Sequence, residues 1–200
     1  ARVTLVHMTL GSENFEEYQC PTDMAAGLNM GNMYKLLKSI SGADTLVMRM
    51  ENRDYIDLLI ENPVKKSATS FKLKLLDINE DILGLPDINM NVVTTLPSVD
   101  FQRIARDMGN LAQEMSIIRD GTSLTLSCQG DFADQITRIE YAEKVKRVRN
   151  TYSLKYINMY TRATSMCSSV QILQDSTSDQ IPIIFRYTIA NLGDLKFYLA

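Results

Sequence analysis

Histidine is almost absent from this chain. The one histidine in 200 residues, His7, alternates with Val6 and Met8 in a strand-like run, where it reads as a solvent-facing residue rather than a general base. Cysteine is nearly as scarce. Cys20, Cys128 and Cys167 are odd in number, widely separated and form no C-x-x-C pair. That argues against a disulfide framework or a zinc site and leaves small buried hydrophobes in a reducing compartment. No apolar run approaches membrane-spanning length, and the opening residues show no signal peptide, so no membrane partner is expected. The sequence also lacks G-x-x-x-x-G-K, G-x-G-x-x-G, G-x-S-x-G and H-E-x-x-H. The pairs Glu16-Glu17 and Glu80-Asp81 are adjacent residues that diverge on a strand and read as solvated charge. An enzyme, a metal or a cofactor therefore has no motif to rest on.

What is present is ordinary globular material. With 45% hydrophobic and 22% charged residues, the chain can build a substantial core, as one large domain or two of about 100 residues. A net charge of -3 and a pI near 5.2 give no global sign of nucleic acid. A local basic face remains open, because steering follows the distribution of charge rather than its sum.

The periodicities carry more. Residues 31–40 place Met33, Leu36, Leu37 and Ile40 at i, i+3, i+4 and i+7, which predicts an amphipathic helix. Strands are predicted at 45–50, 55–61 and 71–78, with a short one upstream in "FEEYQC". In the last of the three, Phe71, Leu73 and Leu75 alternate with Lys72 and Lys74. The order β-α-β-β-β then returns. "NVVTTL" is a strand, Pro97-Ser98 an N-cap, and Phe101, Ile104, Met108 and Leu111 the stripe of a second helix. "MSIIRDGTSLTLSC" reads as a hairpin turning at Asp120-Gly121, followed by the strand "QITRIEY". A third copy starts near "VRNTY", with the helical "SLKYINMYTRA" and strands in "SVQIL", "IPIIFRYTI" and "LKFYLA". "VTLVHMTL" resembles the tail of a fourth copy. A recurring unit of this size predicts a symmetric architecture whose copies bury their apolar faces against one another. The reading is α+β: an N-terminal domain at 1–76, a connector at 77–91 and a C-terminal domain at 92–200.

The connector holds a puzzle. "EDILGLPDIN" sets Ile82, Leu83 and Leu85 in a segment that Gly84 and Pro86 mark as a loop, and an exposed apolar loop is usually avoided. Together with "VTLVHMTLGSENFEEYQC", "KLKLLDINEDILGLPD", "FQRIARDMGNLA" and "IANLGDLKFYLA", it closely resembles the eukaryotic-type sliding clamps of the proliferating cell nuclear antigen family. The divergence suggests a distant eukaryote or a large DNA virus. The resemblance implies a DNA clamp fold and a non-enzymatic homotrimeric ring on duplex DNA, with helices lining the hole and sheets outside. It also implies a processivity factor, in the nucleus or at a viral replication site, that docks DNA polymerase, clamp loader, flap nuclease, ligase and other proteins. A checkpoint-type or monomeric clamp-like scaffold is the alternative.

Carried over by position, the resemblance makes Leu83, Leu85 and Pro86 one wall of a partner-peptide pocket. Val3 and Leu5 match the strand beneath, Pro182 its rim, and Tyr198 and Ala200 its aromatic end. The same leucines could instead cap a local core. The cations read without the family. Lys35 and Lys38, Arg103 and Arg106, and Lys155 and Arg162 recur at i, i+3 or i, i+7 on the polar side of three helices, a pattern suited to non-specific phosphate attraction. Each pair alone is an ordinary solvated face. Phe71, Leu73 and Leu75 are placed at the contact between subunits. Three departures stand out. The four-unit layout of the family leads one to expect roughly forty further residues before Ala1, the stretch 143–148 reads as too short for the neighbour-pairing edge strand, and Arg119 stands where cellular clamps carry a modified lysine.

Overall fold

The computed structural model describes residues 4–78, 88–178 and 181–200. Contacts divide the chain into two units, one of Ala1–Tyr18 with Pro86–Ala200, the other of Gln19–Leu85.

The smaller unit contains one helix and one sheet. α1 (Met30–Leu37) opens on Asn29, whose side chain accepts a hydrogen bond from the Asn32 amide at 2.9 Å, satisfying one of the donors that a helix start leaves open. Met33 is buried, and Leu36, Leu37 and Ile40 are half-buried on the same stripe, with Ile40 just past the helix end. The strands β2 (Thr45–Arg49), β3 (Tyr55–Asn62) and β4 (Ser67–Lys74) form an antiparallel sheet in the order β2-β3-β4. Leu58 is fully buried at its centre. Asn62 is buried too and bonded at both ends of its amide: its nitrogen donates to Asp44 at 2.6 Å, and its oxygen accepts from the Lys65 amide at 2.8 Å.

The larger unit carries most of the core. It contains β1 (Thr4–Leu10), β5 (Val92–Pro97), α2 (Ser98–Gly109), β6 (Glu114–Gln129) and β7 (Asp134–Ser153). These are followed by α3 (Leu154–Tyr160), a 3-10 extension at Thr161–Met166, and the strands β8 (Ser169–Gln174), β9 (Ile183–Ile189) and β10 (Gly193–Leu199). Five strands pair antiparallel in the order β1-β10-β9-β8-β5, and β6 and β7 make a separate ribbon. Because β5 pairs with β8, the second and third repeats share one sheet and one core. Phe101 stacks on Phe185 at 5.6 Å between ring centroids, and Tyr160 on Phe197 at 4.6 Å. The helices are tied by Asn158 donating to the Ala105 carbonyl at 3.1 Å and Gln102 to the Thr161 carbonyl at 3.0 Å.

Several expectations change. "FEEYQC" forms no strand: its residues are exposed, follow a 3-10 turn at Ser12–Asn14, and have no partner strand. The first strand completes the sheet of the larger unit through seven pairs with β10. There the backbone of Thr9 passes so close to Gly193 that no side chain would fit. Ser98 does not cap α2. It is the first helical residue, fully buried, and its hydroxyl donates to the Cys167 carbonyl. Cys128 is buried as expected, but Cys20 is exposed.

No hairpin turns at Asp120-Gly121, which lies opposite a bulge in β7. β6 pairs with β7 on both sides of it, with register shifts at Arg119–Gly121 and Gly121–Ser123, and Gly121 adopts φ +53°. The extra residues are on β7, where residues 141–147 lie between the partners of Ser123 and Arg119, so Gly121 sits on the shorter side of the bulged stretch. The ribbon folds over here. Ser116 and Ser127 line the same concavity, whereas eleven residues of straight strand would separate them by about 36 Å. β7 also runs unbroken through 143–148, so that segment is strand despite its shortness.

Candidate functional site

Three features concern function, and the sheet of the larger unit carries the first. Side chains alternate across a sheet, so Phe185, Tyr187, Leu195 and Phe197 face the core while their neighbours face out. On the outer side, Leu5 pairs with Tyr198, Tyr198 with Ile184, Ile184 with Leu173, and Leu173 with Val93. This apolar row crosses all five strands. Leu5, Tyr198 and Leu173 are half-buried, Ile184 is buried, and Val93 is exposed. Partial burial raises the Tyr198 hydroxyl above its usual pKa, keeping it a neutral donor. Pro182 is half-buried immediately before β9, and Ala200 is exposed just beyond β10. Val3, Leu83, Leu85 and Pro86 lie outside the described residues. Ile184 and Leu173 were missed by the sequence reading. The signal was there, since Ile184 is two residues from Pro182 and therefore on the same face.

The second feature is the cationic side of the helices. Lys35, Lys38, Arg103, Arg106, Lys155 and Arg162 are all exposed. α1 and α2 match position for position: Met33, Leu36, Leu37 and Ile40 correspond to Phe101, Ile104, Ala105 and Met108, and Lys35 and Lys38 to Arg103 and Arg106. At about 100° per residue, each cation pair lies opposite its apolar stripe. The faces differ in charge. No carboxylate lies on α1, whereas Arg103 is 3.9 Å from Asp100 and Arg106 is 3.9 Å from Asp107, loose exposed pairs of small energy. On the third helix, α3 ends at Tyr160, so Arg162 sits on the 3-10 extension rather than on one continuous α-helical face.

The third feature is the edge strand β4. Phe71 lies opposite Leu58 and Leu73 opposite Ile56, both half-buried, while Lys72 faces the other way over the Tyr55 ring at 5.3 Å. Leu75 falls one residue beyond the strand, with its amide bonded to the Asp54 carbonyl at 2.8 Å. One side of β4 is unpaired within its sheet. His7 lies on the outer face opposite Lys196. Arg119 is not a surface site. It is buried at the bulge, donating to the carbonyls of Gly121, Ser123 and Glu143 and covered by the Tyr141 ring.

Concavities of about 550 Å³ on the folded ribbon and 330 Å³ on the small sheet contain carboxylates and cations but no histidine. Among the described residues, no group of three or more His, Cys, Asp or Glu could hold a metal ion, and no helix is long and apolar enough to cross a membrane.

Comparison with known proteins finds matches along nearly the whole chain. The N-terminal domain of proliferating cell nuclear antigen matches residues 1–82 and its C-terminal domain residues 84–200. The chain belongs to the proliferating cell nuclear antigen family. It is also 34% identical over 213 aligned positions to a protein of Paramecium bursaria Chlorella virus 1 named as a probable DNA polymerase sliding clamp 1; the alignment takes in all of this chain and 80% of that protein. The fold is the α+β DNA clamp fold, and the family is one of processivity factors for DNA replication. For a clamp, the missed residues Ile184 and Leu173 extend the apolar surface beyond the positions the family resemblance supplied.

Proposed function

We propose that this clamp works as a closed ring of three copies around duplex DNA, its helices toward the DNA and its outer apolar row toward partner proteins. The observation that carries the reading is the position-for-position match of α1 and α2, each with two cations opposite its apolar stripe. Repeated cationic faces without base-reading groups suit phosphate attraction that is weak and independent of sequence, as sliding requires. Lys155 and Arg162 add to that surface. The organisation proposed is a clamp domain on either side of the connector 77–91, with Leu83, Leu85 and Pro86 walling a pocket over Val3, Leu5, Pro182, Tyr198 and Ala200. Peptides from DNA polymerase, clamp loader, flap nuclease and ligase would dock there, in the nucleus or at a viral replication site.

Ring closure needs two complementary edges in a head-to-tail contact. β4 offers one, with unpaired backbone groups and Phe71 beside them; the outer edge of β7 offers the other. The solution mass of the full chain tests this directly. A trimer that shifts toward monomer in Phe71→Ala supports it, whereas an unchanged trimer assigns Phe71 to the core around Leu58. A native monomer would favour the checkpoint-type or monomeric scaffold.

A further inference from the structure

A second row runs beside the apolar one on the outer face of the five-stranded sheet. His7 pairs with Lys196, Lys196 with Arg186, and Arg186 with Gln171. These residues are two positions along each strand from Leu5, Tyr198, Ile184 and Leu173, so the rows lie about 7 Å apart. The charges in the second row are not equivalent. Arg186 is neutralised by Asp194, which accepts from its Nε and Nη2 at 3.0 Å each. Asp194 lies in the next row, opposite Thr9 and Thr188. Lys196 makes no ion pair among the described residues, and its neighbours across the strands are His7 and Arg186, neither of which supplies negative charge. The apolar row is thus bordered by an unbalanced ammonium group, half-buried and directed outward by the strand alternation.

We propose that Lys196 is a specificity-determining residue of the docking surface, selecting peptides that place an aspartate or glutamate beside their apolar plug. The inference rests on the peptide-docking reading above and adds its charge preference. A peptide plug covering Tyr198 and Ile184 brings its flanking side chains within reach of the neighbouring row. Arg186 cannot serve this role without surrendering Asp194. Lys196 can, and a carboxylate there would complete its only missing partner. A basic residue at the same peptide position would meet like charge, so the row both attracts and rejects.

Fluorescence polarisation with the full chain tests the idea. The probes are synthetic peptides with an isoleucine-phenylalanine plug and a single Glu walked along the flanking positions, each compared with its Gln counterpart. At one position the Glu form should bind about two- to five-fold tighter at low salt, the range of an exposed ion pair. The preference should shrink as salt rises. It should vanish in Lys196→Met, which keeps the aliphatic stem, and pass to a Lys-bearing peptide in Lys196→Glu. Equal binding of Glu and Gln peptides at every position would overturn the inference while leaving the pocket intact. A Glu preference that survives in Lys196→Met would overturn it as well, assigning the selection to another cation. Failure of every peptide to bind would instead remove the docking reading on which it rests.

Discussion

The two units use the same helix pattern and obtain very different burial from it. In α2, Phe101, Ile104, Ala105 and Met108 are at most 2% exposed. At the matching positions of the smaller unit, Met33 is buried but Leu36, Leu37 and Ile40 are only half-buried. The difference lies in what covers them. α2 has α3 alongside and shares a core with strands of two repeats, whereas the described residues of the unit Gln19–Leu85 form one helix and three strands. Met33 and Leu58 are the two buried apolar side chains among its described residues. Amphipathic periodicity therefore reports which face turns inward. How deeply that face is buried depends on a second layer.

Truncating matched positions gives the largest effects. Phe101→Ala should lower unfolding free energy by about 3–5 kcal/mol, because a ring packed on Phe185 leaves a cavity that its neighbours cannot fill. Met33→Ala should cost about 2 kcal/mol, at the low end for a core methionine, because the looser unit can collapse around the gap. Urea titration followed separately in each unit would measure both. Equal losses would mean that the smaller unit is as tightly packed as the larger one.

A smaller effect is expected at the apolar row. Tyr198→Ala should weaken peptide docking by about 2 kcal/mol, as for a binding hot spot, with DNA association unchanged. Titration with a plug-bearing peptide checks this, and unaltered affinity would remove Tyr198 from the docking surface.

Elements defined by local periodicity were legible in the sequence. The apolar stripes of α1 and α2 and the alternation of Phe71, Lys72, Leu73 and Lys74 depend on spacing alone, and each is found on its expected face. Features decided by partners far along the chain were not. Asp120-Gly121 permits a hairpin turn, and only the pairing of both its flanks with β7, which carries the extra residues, excludes it. The Ser98 hydroxyl could cap its own helix, but the Cys167 carbonyl 69 residues away takes it. Nor does the local sequence around Arg119 show that three carbonyls and the Tyr141 ring enclose it. Of the candidate site, the cations could be read from their helical spacing, and Tyr198 could be carried over by position. Lys196 gains its setting from cross-strand pairing, which connects residues that no local pattern joins.

The helix faces offer a comparison in charge rather than depth. Removing one cation that neutralises a phosphate should reduce the salt slope of DNA association by about 0.9. Lys35→Ala with Lys38→Ala should produce the full reduction for two such cations, because α1 carries no carboxylate. Arg103→Ala with Arg106→Ala should produce less, because Asp100 and Asp107 already offset part of their charge. Measuring the binding constant over a range of salt distinguishes them. An equal slope for parent and both variants would leave the cations as solvated surface.

The smallest expected effect is at the start of α1, where the smaller unit has little core to spare. Asn29 is in an extended conformation and its side chain accepts from the Asn32 amide at 2.9 Å, while its carbonyl accepts from Met33 at 2.9 Å. Asn29→Ala keeps the backbone bond and removes the side-chain acceptor, which should cost about 1 kcal/mol. Because α1 is eight residues long, one freed amide is a large share of its first turn, and short helices depend on such contacts. Amide exchange of Asn32 and Met33 should accelerate, with the amides of α2 unchanged. Asn29→Asp provides the control, since it restores the acceptor and adds a favourable charge at the positive helix end. If Asn29→Ala and the parent exchange alike, the cap contributes nothing, and α1 is held by its contacts with the sheet alone.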